Sequence, residues 1–254
     1  MRCFHRWRER RMLAKHPVSE PDWRHALAGC APARRLDASD QARLRVLVTL
    51  FLREKSFEPV QGLVLSRADR TLIAAHACLP ILKLGMKWYR GWHALVIYPD
   101  LFIPQRTRVD ATGVVHRYRE VLAGEAWSQG PVLLSWQEVL NSGNPIGHNV
   151  IIHEMAHKLD MLNGDANGFP PLPQDMKQSD WSDAFMHAWD NMQAGKQRGD
   201  ALPLDPYALQ NPAEFFAVSS ELFFEQPSML KRHLPAVYAQ LARFYRQQPL
   251  ADAA

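Results

Sequence analysis

The chain has 254 residues, 47% of them hydrophobic, enough for a substantial core in one large domain or two small ones. Lysine and arginine outnumber aspartate and glutamate 30 to 26, and the resulting net charge of +4 is too diffuse to mark a direct nucleic-acid surface. The three cysteines, Cys3, Cys30 and Cys78, are too scattered for a disulfide framework or a cysteine zinc site.

In chain order, the basic start MRCFHRWRERRMLAKHP comes first, with Phe4, Trp7 and Met12 interleaved. It lacks the apolar run of a secretory signal and reads as the solvated face of a terminal helix. Nothing downstream approaches a transmembrane span, so the expectation is a cytoplasmic protein. Proline-containing stretches at 17–32 and 168–173 read as loops. After Leu36, DASDQARLRVLVTLFLREKSF places Leu44, Leu47, Val48 and Phe51 at helical spacing behind candidate caps Ser39 and Asp40. GLVLS from Gly62 reads as a short strand, and Ser66 to Asp69 as a capped start for the helix RTLIAAHACL. His76 in that helix fits a hydrogen-bonded core histidine.

Three strands follow in WHALVIYP from Trp92, GVVHRYREVL from Gly113 and GPVLLSW from Gly130, and the last is either an edge strand for pairing with an extended peptide or a purely internal strand. Helical periodicity then predicts helices near 146–162, 179–194, 211–225 and 227–247. Strands in the part spanning 36–140 and helices in the part spanning 144–247 predict one α+β domain over residues 1–254.

The first of the later helices contains IIHEMAHKLDMLN, from Ile151. Residues four apart share a helix face, so His153 and His157 can turn imidazole nitrogens toward one ion. Glu154, one step around the helix, is placed to take a proton from an attacking water without being a ligand itself. Chance alone produces H-E-x-x-H in about one such chain in fifty, so the surroundings carry weight. Val150, Ile151, Ile152, Met155, Ala156 and Leu159 make the helix apolar on most sides, with Asn144-Pro145 to cap and open it. Two histidines and a glutamate in so apolar a helix are costly to bury without a partner such as a metal.

A catalytic zinc needs a third protein ligand and an open fourth position. The longer motif with a downstream glycine and third histidine fails, because Asp160 and Asn163 stand in those places. Asp160 either orients a histidine or caps backbone. Glu214 and Glu221, seven apart on one face of NPAEFFAVSSELFFEQP, both qualify as the third ligand. Spacing does not choose between them, and Glu214 also fits a capping box behind Asn211 and Pro212.

Several blocks together, HACLPILKLG from His76, ALVIYPDLF from Ala94, EAWSQGPVLLSW from Glu125, IIHEMAHKLDMLNGD from Ile151 and DPYALQNPAEFFAVSSELFFEQP from Asp205, resemble the Mlc titration factor A family of bacterial zinc-dependent peptidases. The resemblance covers most of the chain. It implies a zincin-like fold of the gluzincin class, similar to the catalytic domain of anthrax lethal factor. It also implies one Zn2+ held by His153, His157 and Glu214, with Glu154 as the base, Tyr207 as a donor to the developing oxyanion, and Glu221 in a supporting place. Aminopeptidase-like hydrolysis of short peptides is the implied activity. An Mlc-type transcriptional repressor is the implied partner, linking the protein to sugar uptake. The alternative is a non-catalytic regulator that titrates that repressor.

Overall fold

The computed structural model describes residues 17–101, 105–109, 115–119, 124–126, 130–143 and 147–250, with backbone only for 105–109, 115–119 and 125–126. The basic start, Cys3 and Asn144-Pro145 lie outside the described residues.

The stretch expected to be a loop at 17–32 instead forms α1 (Glu20–Gly29) and the first half of α2 (Ala31–Arg34). Pro21 and Pro32 sit in first turns, where a missing N–H removes no helix hydrogen bond, so these prolines start helices rather than interrupt them. α3 (Ala38–Glu54) buries Leu44, Leu47, Val48 and Phe51 as their spacing predicts. Its cap is Asp37, not Ser39 or Asp40: the Asp37 side chain accepts the Asp40 N–H. GLVLS is not a strand. Gln61 and Gly62 take φ values of 53° and 80°, turning the chain, and the strand is the preceding β1 (Ser56–Pro59). Its proline is tolerated because β1 lies at a sheet edge. α4 (Arg67–Cys78) begins with the expected Ser66–Asp69 capping box.

The remaining strands are β2 (Ala94–Tyr98), β3 (Gln105–Val109), β4 (Val115–Arg119), β5 (Gly124–Ala126) and β6 (Val132–Ser135). One sheet has the order β1-β2-β6-β5, with the first three parallel and β5 antiparallel to β6; β3 and β4 pair separately. Of the two readings of GPVLLSW, edge or internal, the structure shows the internal strand, buried at all four positions. The edge on that side is β5, which packs against the motif helix. Ser135 closes β6 and caps α5 (Trp136–Asn141).

The motif helix is α6 (Val150–Asp160), continued by a short 3-10 turn. Then come α7 (Gln178–Arg198), α8 (Pro212–Glu225), α9 (Pro227–His233) and α10 (Pro235–Tyr245). The single helix expected over 227–247 is two, because Pro235 starts a new one and pushes Leu234 out of helical geometry. The helix α8 is buried along most of its length. It packs on α6, and Phe216 joins Trp181, Phe185 and Phe244 in an aromatic cluster. The α+β class holds: a small, mainly parallel sheet in the first half and helices dominating the second.

One buried polar network fixes where α6 begins. The Asn149 side chain accepts the Ile152 N–H at 3.1 Å, and its amide donates to His76 Nδ1 at 2.8 Å and to Glu225 Oε1 at 2.6 Å. With Nδ1 accepting, His76 carries its proton on Nε2, which faces the Gly29 carbonyl at 3.3 Å. The core histidine expected from sequence thus ties α1, α4, α6 and α8 together.

Burial pushes the His76 pKa from 6.5 down to about 4. The unfolded chain takes up this proton near pH 6.5 and the folded chain only near pH 4, so stability falls as pH drops through that window. The full loss is on the order of 3 kcal/mol. Urea midpoints from pH 7 to 4 should show it, and His76→Gln should flatten the curve over the same window.

Candidate metal centre

Each residue of the site is set by a local feature of its element. α6 carries His153 and His157 one turn apart, facing the first turn of α8. Asn211 caps α8 by accepting the Glu214 N–H at 3.0 Å. Only half of the expected capping box is used, because the Glu214 carboxylate turns instead toward the two histidines.

Three donor atoms converge. His153 Nε2 and His157 Nε2 are 3.1 Å apart, and Glu214 Oε2 lies 3.0 Å from the first and 3.4 Å from the second. Atoms held tetrahedrally at zinc distances of 2.0–2.1 Å are themselves about 3.3 Å apart, so the triangle has the size the ion requires. Two further observations support the fit. Glu214 Oε2 is buried and receives no hydrogen bond despite its two close nitrogens, and two imidazole nitrogens facing each other cannot both bring a proton. A cation at the shared point satisfies all three. The side chains of His153, His157 and Glu214 are 10%, 12% and 15% exposed, recessed yet reachable from solvent.

The same electrostatics shift the groups. Burial would lower the His153 pKa, but Glu214 and Glu221 outweigh it and hold it well above the ordinary histidine value. Burial would raise Glu214, and the two histidines hold it far below the ordinary carboxylate range.

Glu221, two turns along α8 from Glu214, occupies a different position. Its Oε1 accepts from His153 Nδ1 at 2.8 Å, which leaves Nε2 free to face the triangle. Its Oε2 accepts the Asn149 backbone N–H at 2.6 Å and lies 2.9 Å from His148 Nδ1. Three donors thus hold one carboxylate behind the histidine.

Asp160 caps backbone: its Oδ2 accepts the Gly168 N–H at 2.7 Å, and Trp181 Nε1 donates to the Gly168 carbonyl at 3.1 Å. Gly168 has φ +77°, and a Cβ there would stand 2.4 Å from the Pro212 carbonyl oxygen, so only glycine lets this loop lie against the start of α8. Tyr207 sits on the 3-10 turn Pro206–Leu209 just before α8, 39% exposed, its ring centre 6.1 Å from that of His153. Glu154 is 3% exposed and packs against Gly124 of β5. The structure thus brings His153, His157 and Glu214 together with Tyr207 beside them, while Glu154 lies one step around α6 against β5. Asn149, His148 and Gly124 were missed, since one polar residue before a helix or one glycine in a strand carries no signal of what it meets.

Residues 4–246 match the family model described as glucose-regulated metallo-peptidase M90. The chain belongs to the Peptidase M90 family. Among its relatives are Mlc titration factor A of Yersinia pestis (strain Pestoides F) and of Yersinia pseudotuberculosis (serotype O:1b, strain IP 31758). Each is 42% identical over 219 residues, covering 85% of this chain and 81% of the relative. For an M90 metallo-peptidase, the described residues contain one cluster with metal-ligand geometry, His153, His157 and Glu214.

Glu214→Ala removes a vertex of the triangle and should abolish stoichiometric zinc binding. Glu221→Ala leaves all three donors and only frees His153 Nδ1, so zinc affinity should fall about 10- to 100-fold. Competition titration against a chromogenic chelator distinguishes the two. The reverse order would exchange the roles of the two glutamates.

Proposed function

We propose that the protein is a zinc peptidase in which His153, His157 and Glu214 hold the ion and Glu154 is the general base. The observation that carries this reading is the triangle of donors at 3.0, 3.1 and 3.4 Å, with a buried carboxylate next in sequence to one of them. When bound, zinc supplies a Lewis acid for the scissile carbonyl and acidifies water. Glu154 takes the proton of the attacking water and passes one to the leaving amine as the C–N bond breaks. Tyr207, partly exposed beside His153, donates its phenol hydrogen to the oxyanion. Among the described residues β5 is bonded only to β6, and its other side pairs with the substrate backbone. Glu221 keeps His153 in the required tautomer.

The family resemblance supports aminopeptidase-like action on short peptides. The name of the relatives, Mlc titration factor A, supports a second role, capture of an Mlc-type transcriptional repressor by this chain, and with it a cytoplasmic location. A repressor interface commonly buries about 800 Å² per partner, far more than three ligands present, so we place capture on a surface apart from the cleft. The non-catalytic alternative keeps only that surface. Among the described residues no helix is long and apolar enough to cross a membrane.

Glu154→Gln keeps shape and polarity but cannot accept the proton. It should bind one zinc per chain, hydrolyse an unblocked aminoacyl anilide at least about 1,000-fold more slowly, and still capture the repressor in a pull-down. Near-normal turnover by this variant removes the base assignment. Equal wild-type rates on N-acylated and unblocked substrates remove the aminopeptidase reading alone. Loss of capture with zinc and fold intact puts the repressor in the cleft.

A further inference from the structure

We infer that Gly124 is a positioning residue for the catalytic carboxylate: the side chain it lacks is the space in which Glu154 lies. This rests on the reading of Glu154 as the base and adds a determinant of where that base sits. A Cβ built on Gly124 would meet Glu154 Oε1 at 2.5 Å and Glu154 Cδ and Cγ at 2.8 Å each. All three of its nearest heavy atoms belong to this one side chain.

Glycine is not required here for its backbone. Gly124 is paired with Leu134 in an antiparallel strand, and its φ is outside the left-handed region, so any L-residue could adopt the conformation. Inside a strand, glycine otherwise weakens pairing and packs nothing, and its usual justification is the close approach of another group. The group that approaches is the base itself. Glu154 is 3% exposed and anchored on the apolar helix α6, so the carboxylate is confined between that helix and the backbone of the edge strand. A methyl group at position 124 would displace the Glu154 side chain from Cγ outward. A base held for proton transfer tolerates little displacement, because a shift of about 1 Å costs on the order of 100-fold in rate.

The test uses the full-length zinc-loaded chain and an unblocked aminoacyl anilide. Gly124→Ala should lower kcat about 10- to 100-fold with KM within about twofold, while zinc content and melting temperature stay at wild-type values. A double-mutant cycle supplies the readout that a merely structural role would not move. Glu154→Asp draws the carboxylate back by one methylene, so its cost in kcat should be smaller in the Gly124→Ala background than in the wild type by about tenfold. Wild-type kcat in Gly124→Ala, strict additivity in the cycle, or loss of zinc or melting temperature in step with activity would overturn the inference. Full activity in Glu154→Gln would overturn the base assignment and this inference with it. An inactive Glu154→Gln beside a fully active Gly124→Ala overturns only the positioning role.

Discussion

The structure depends on the meeting of α6 with the first turn of α8. Two imidazole nitrogens and a carboxylate oxygen are held there within 3.0–3.4 Å, at the margin of an apolar core. Lone pairs so placed are costly to leave facing one another, and a shared cation would resolve them together. The surrounding elements act to keep the two helices in that relation. Asn149 fixes where α6 begins, Asp160 and Gly168 fix the loop that leads away from its end, and the aromatic cluster around Trp181 backs α8 from the far side.

The helix α8 does two jobs with one periodicity. Glu214 and Glu221, two turns apart, reach opposite nitrogens of the same imidazole: Glu214 faces the Nε2 of His153 and Glu221 its Nδ1. Fixing the tautomer from the rear is what makes the front nitrogen a lone-pair donor. The rear carboxylate is itself held by Asn149, which also caps α6 and bonds to His76 and Glu225. Orientation at the site is thereby linked to a network that reaches α1 and α4. Every member of that chain is buried, where an unsatisfied partner is expensive and a satisfied one restricts motion.

The sheet contributes through its short antiparallel strand. β1, β2 and β6 are paired in parallel, and β6 is internal and buried throughout, which decides between the two readings of GPVLLSW. β5, only three residues long, ends the sheet beside α6 and brings backbone within reach of Glu154. A strand this short carries almost no pattern, and its place in the sheet is decided by pairing with residues six to ten positions later.

What the sequence determined by itself was whatever depends on local spacing or on blocks of similarity. The i, i+4 histidines, the Ser66–Asp69 capping box, the buried stripe of α3 and the pair of glutamates on α8 follow from helical geometry alone. The family resemblance placed Glu214 and Tyr207 where helix geometry left the choice open. Other features needed the tertiary structure, because they arise between segments distant in the chain. The prolines at 21 and 32 start helices only because the core receives Trp23, Ala26 and Ala33. Asp160 is a backbone cap because a loop glycine comes back to it, and Glu221 is an orienting group because His153 presents its other nitrogen there. The pattern of one segment records its own periodicity, whereas the partner that satisfies a buried polar atom is chosen only when two segments meet.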